Sequence, residues 1–168
     1  MRRLLDKTYL WSGYIAAFCL ASIAVSIILQ VVGRFLGWVV DSTEVAGFLL
    51  AASSFFALAH TFRSGSHVRV TLLINRLTGG RRRITETFCC GAAAFMVCYL
   101  AYHSVLLVLR SYRFGDISPG LVAMPFWIPQ SAMAVGLILL AVALIDEMIA
   151  VWRGATPSYT ANEDVALD

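Results

Sequence analysis

Four long apolar runs constrain this chain more than any other feature: Tyr9–Val32, Val45–Phe62, Phe88–Leu109 and Phe126–Val151. A helix rises about 1.5 Å per residue, so some 20 residues cross a hydrocarbon layer of roughly 30 Å. Each run meets that length or nearly so, the second being the shortest. With 168 residues in all, four crossings leave little chain for a soluble domain. The expected class is an all-α membrane protein of four transmembrane helices.

Only 14% of residues are charged and 60% are hydrophobic, where a soluble domain would carry nearer a quarter charged. Arg2 and Arg3 precede the first run as they would in a signal peptide. The apolar stretch exceeds an h-region, however, and no small-residue cleavage site follows, so an uncleaved signal anchor is expected. Cys19, Cys89, Cys90 and Cys98 all fall in the runs and form no C-x-x-C pair, which reads as small buried hydrophobes without metal or redox work.

Positive charge orients the chain. Arg2, Arg3, Lys7, Arg63, Arg69, Arg76, Arg81, Arg82, Arg83 and Arg153 lie on one side. Only Arg34, Arg110 and Arg113 lie on the other. The excess of arginine and lysine marks the cytoplasmic side, which places both termini and the second loop there. Trp11 and Trp152 then fall at the inner headgroup layer, with Trp38 and Trp127 at the outer one. The arginines border the spans, so their expected partners are membrane lipids, with no nucleic acid.

Within the second loop, Val70, Leu73, Ile74 and Leu77 follow an i, i+3, i+4, i+7 spacing that stops at Gly79-Gly80. This predicts a short interfacial amphipathic helix in the cytoplasmic loop. Residues 1–152 then form the transmembrane unit, and the polar, acid-ended stretch 153–168 is expected to be a flexible cytoplasmic tail. Gly13, Ala17 and Ala21, then Gly47 and Ala51, then Gly91-Ala92-Ala93-Ala94 are small residues of the kind that let helix backbones approach in lipid.

Groups able to carry chemistry are few. Asp146, Glu147 and Glu86 are placed by residue count near the inner boundary, where water and headgroups reach. His60, His67 and His103 fall at different depths, which argues against a haem or metal centre. No catalytic motif or phosphate-binding glycine loop is present, so neither catalytic residues, metal nor cofactor are expected. Arg34 and Glu44 flank a short outer loop, close enough to pair or to meet charges on a partner. Pro125 and Pro129 suit the first turn of the fourth span, where a missing N–H costs little.

Three pieces occur together here: Val31-Val32-Gly33-Arg34-Phe35 with Glu44; His67-Val68-Arg69-Val70; and Met124-Pro125-Phe126-Trp127-Ile128-Pro129 continuing to Gly136. With four spans and cytoplasmic termini, residues 9–152 resemble the small membrane subunit of TRAP (tripartite ATP-independent periplasmic) transporters, the DctQ-like family. Thr71 departs from the acid common there after the H-x-R-V stretch. The resemblance implies a non-catalytic subunit of the bacterial inner membrane, in a sodium-driven symporter for organic acids. Its implied partners are a large TRAP permease subunit, whose scaffold it supports, and a periplasmic substrate-binding protein. It makes Arg34, Glu44, His67, Arg69, Pro125, Trp127, Pro129 and Gly136 candidates for subunit-interface or structural roles. Two alternatives are a small homo-oligomeric exporter, which a deep acidic residue would favour, and a redox or quinone subunit, which paired histidines at one depth would favour.

Overall fold

In lipid an apolar run must satisfy its own backbone hydrogen bonds, and each run here does so as a helix. The computed structural model describes residues 2–38, 42–63, 80–120 and 123–152. They form α1 (Arg2–Phe35), α2 (Thr43–Arg63), α3 (Gly80–Phe114) and α4 (Trp127–Trp152). All four are long and apolar enough to cross a membrane, over Leu5–Phe35, Thr43–Phe62, Thr87–Phe114 and Trp127–Ala150. Among the described residues the protein is therefore all-α, with four spans. The cytoplasmic-loop pattern at 70–77 and the tail at 153–168 lie outside the described residues.

Many of the serines and threonines inside these spans direct their hydroxyls back to the carbonyls of the preceding turn rather than to lipid. Ser12 donates to the Tyr9 carbonyl at 2.8 Å, Ser22 to Phe18 at 2.8 Å and Ser26 to Ser22 at 2.7 Å. Ser53 and Thr61 in α2 and Ser131 in α4 do the same.

The helices pack in a spatial order that differs from chain order. α1 lies against α2, α2 against α4, and α4 against α3. The last helix is thus inserted between the second and the third. Its membrane window is 39% buried, against 11% for α1, 11% for α2 and 17% for α3, so α4 is the spine of the bundle. One apolar cluster joins Tyr9 of α1, Ala59 of α2 and Ala143 of α4, with Leu5, Phe62 and Leu139 around it. A second joins Ala94 of α3 to Leu140 and Leu144 of α4. Each cluster places at least one alanine at a helix contact, as expected where packing rather than water exclusion holds helices together.

At the end of the bundle opposite the termini, two helices stop in the same way. Gly37 (φ 78°) follows α1, and Gly115 (φ 66°) follows α3. In each case the next residue's N–H reaches back five residues, Trp38 to the Gly33 carbonyl at 2.8 Å and Asp116 to Ser111 at 3.1 Å. This left-handed cap satisfies the last carbonyls and turns the chain; a β-carbon would strain it.

Candidate functional site

The loop-bearing end collects most of the residues singled out from sequence. Ser42 precedes α2, and its carbonyl accepts from the Ala46 N–H at 2.8 Å to begin the helix. Its hydroxyl turns toward α1, donating to Gln30 Oε1 at 2.7 Å, with the Ser26 carbonyl at 3.1 Å. Thus α1 is fastened to the start of α2. Glu44 lies in the first turn of α2, where the helix dipole favours an acid. Its carboxylate packs against Gly120 of the α3–α4 loop so closely that a β-carbon there would collide with it. Arg34, by contrast, is exposed at the end of α1. Glu44 therefore faces the neighbouring loop, and Arg34 is exposed.

That loop is itself ordered by an antiparallel bridge between Ile117 and Pro125. Ser118 N–H donates to the Met124 carbonyl at 2.9 Å, and Phe126 N–H to Asp116 at 3.0 Å. Pro125 occupies the position between those bonds, where no N–H is required. The expectation of both prolines in the first turn of the fourth helix is corrected in part. Pro129 is the third residue of α4, among the N–H groups that no helical carbonyl reaches, whereas Pro125 precedes the helix. The Trp127 ring meets Tyr112 of α3 edge-on at 5.9 Å, and Phe126 meets Phe48 of α2 at 6.2 Å. Together these contacts join α2, α3 and α4 at one level.

Deeper in the bundle, Gly136 is buried against α2. A β-carbon on it would stand 2.6 Å from the Phe55 carbonyl oxygen and 2.8 Å from the Phe55 Cβ, so backbone meets backbone here. Near the termini, Gly13 of α1 admits the His60 ring of α2; an added β-carbon would lie 2.9 Å from its Cγ. Not every small residue is used this way. Gly47 is exposed with nothing within 4 Å of an added β-carbon, and Ala17 and Ala21 also face outward.

Placing Glu147 at a wetted boundary is corrected as well. It does lie near the terminal end of α4, yet it is only 1% exposed, one turn beyond Ala143 on the buried stripe. Tyr9 and Ser12, each 2% exposed, are buried at the same end. Asp146, its neighbour, is half-buried, and the Glu86 side chain lies outside the described residues, as do His67 and Arg69. Among the described residues, no group of three or more His, Cys, Asp and Glu side chains is close enough to hold a metal ion.

All of this geometry belongs to helix packing and loop fastening. Residues 23–154 match the family described as "Tripartite ATP-independent periplasmic transporters, DctQ component". The chain belongs to the DctQ family. A curated relative, the C4-dicarboxylate TRAP transporter small permease protein DctQ of Rhodobacter capsulatus, is 33% identical over 81 residues, or 48% of this chain. That alignment spans 35% of the relative's own length. The chain is thus a DctQ-family member whose four described helices are each long and apolar enough to cross a membrane.

Proposed function

We propose that this protein is the small permease subunit of a sodium-driven, binding-protein-dependent TRAP transporter for organic acids, and that it supports the scaffold of the large permease without catalysing a reaction itself. The observation that carries this reading is the match to the DctQ component across residues 23–154, from within α1 past the end of α4. The architecture agrees with it. The described interior is built mainly from alanine, leucine and serine, and its buried acid, Glu147, lies near one end of α4 rather than at mid-depth. A site for sodium or a carboxylate calls for convergent polar groups near the midplane. The relative from Rhodobacter capsulatus is described for C4-dicarboxylates, and a small organic acid is the corresponding substrate class here.

In this reading the protein resides in the bacterial inner membrane with both termini cytoplasmic, and residues 153–168 form a tail outside the transmembrane unit. Its partners are the large permease, lipids and, through the assembled transporter, a periplasmic substrate-binding protein. Glu44, Pro125, Trp127, Pro129 and Gly136 are structural residues that hold the bundle and its outer loop. Arg34, exposed at the outer end, is available to a partner, and His67 and Arg69 serve a partner or lipid phosphates on the cytoplasmic side.

The test separates a supporting subunit from a transporter in its own right. The purified subunit in liposomes under an inward sodium gradient should give no organic-acid flux, whereas deletion of its coding region should abolish binding-protein-dependent uptake in cells. Substrate-dependent flux from the subunit alone, or uptake unchanged by the deletion, would overturn the reading.

A further inference from the structure

The outer half of α3 carries an arrangement that lipid alone would accommodate poorly. The run Phe88–Leu109 has its midpoint between Cys98 and Tyr99, so His103 lies roughly 7 Å from the midplane, still well inside a 30 Å hydrocarbon core. His103 is exposed on the surface of the subunit. Its ring is held between Tyr99, at 4.4 Å between centroids, and Tyr102, at 5.4 Å. Those contacts fix the imidazole without offering the ring nitrogens a carboxylate or carbonyl. Beside it runs a shallow groove of about 380 Å³, lined by Leu100, His103, Ser104, Leu106, Leu107 and Arg110. Arg110 lies seven residues beyond His103, on nearly the same face and at headgroup depth.

An ionisable group at this depth normally faces protein, because hydrocarbon provides no hydrogen-bond partner. Among the described residues α3 is a flanking helix that packs chiefly against α4 and leaves His103 exposed, so a covering helix would come from another chain. A second copy fits badly. Two copies inserted the same way around a two-fold axis bring equal depths together, so Arg110 would meet Arg110. Nor could the facing α3 supply an acid, since none occurs between Glu86 and Asp116. The face calls for a different helix, one that accepts a hydrogen bond at mid-depth and is acidic near the outer edge.

We propose that the α3 face of Leu100, His103, Leu107 and Arg110 seats a transmembrane helix of the large permease, which accepts a hydrogen bond from His103 in the hydrocarbon core and presents an acid to Arg110 at its outer boundary. This rests on the reading of the chain as a small permease subunit. It adds which flank makes the contact and what chemistry the partner helix supplies.

The test uses the full chain co-expressed with its large permease, with a photo-crosslinking residue at Leu107 or, on the opposite flank, at Ile28 of α1. The expected result is a permease adduct at Leu107 at least about tenfold above that at Ile28. In parallel, His103→Leu should lower permease recovered with the tagged subunit by roughly fivefold to tenfold, the scale of one interhelical hydrogen bond, and His103→Gln should restore most of it. The side chain is exposed, so the helix content of the isolated variants should match wild type. Leu107 adducts to a second copy would overturn the proposal, as would adducts at Ile28 alone or full recovery with His103→Leu. In those cases a co-purifying permease leaves the small-subunit reading standing. Absence of any complex with the wild-type chain would overturn both.

Discussion

Gly136 shows what one hydrogen atom can decide in a lipid-embedded bundle. The Phe55 carbonyl fills the space a methyl group would need, and the obstacle is main chain rather than a side chain able to rotate away. Gly136→Ala must therefore separate α2 from α4, and overpacking of this kind costs roughly 1–3 kcal/mol. The expected outcome is a lower unfolding midpoint for the purified subunit in mild detergent, with Gly136→Leu more severe. Gly47→Ala provides the internal control. An added β-carbon there has nothing within 4 Å, so the isolated subunit should unfold within about 0.5 kcal/mol of wild type. Equal effects at the two glycines would show that the close approach at Gly136 is not what holds these helices together. At Gly13 the neighbour is the His60 ring, which has more freedom to shift, so Gly13→Ala should fall between the two.

Among the described elements, the α3–α4 loop rests on a residue distant in sequence. Glu44 serves it twice, as an acid at the positive end of α2 and as the surface on which Gly120 rests. Reversing its charge should cost roughly 0.6–2 kcal/mol, twice the usual contribution of one charge at a helix terminus. Glu44→Lys is expected to loosen residues 116–126, detected as faster proteolytic nicking there, and to reduce the yield of assembled transporter; Glu44→Gln should do less. Nicking at the wild-type rate in Glu44→Lys would remove Glu44 from the support of that loop. The four helices were legible in sequence because length and apolarity alone specify a span. The stripe each helix buries was not, since in a uniformly apolar helix polarity does not distinguish the packed face from the lipid face. Hence Glu147 could be assigned a depth but not a direction. Gly120 gave no signal of its own, because its importance lies in where α2 places Glu44. Pro125 and Trp127 were recognisable as a group, yet the bridge to Ile117 and the edge-on contact with Tyr112 depend on how the loop folds back.

For the molecule as a whole, the arginine and lysine asymmetry and the exposed Trp11, Trp38 and Trp152 suggest how it sits in the bilayer. In a cysteine-free background, Leu36→Cys should react with a membrane-impermeant maleimide added outside spheroplasts, and Gly80→Cys only after the membrane is opened. External labelling of Gly80→Cys would invert the topology and move the outer loop to the cytoplasm. The spatial order α1, α2, α4, α3 also sets a timetable. When Phe114 has been added to the growing chain, α3 is complete, but the helix that joins it to α2 does not yet exist. At cellular rates of roughly 5–20 residues per second, the remaining residues to Trp152 take several seconds. For that interval the nascent protein is a helical hairpin and a lone span adrift in lipid. A message broken or a ribosome stalled before α4 would release segments without the piece that unites them, an open target for membrane proteases. Until the fourth span is made, the three that precede it lack the helix that joins them.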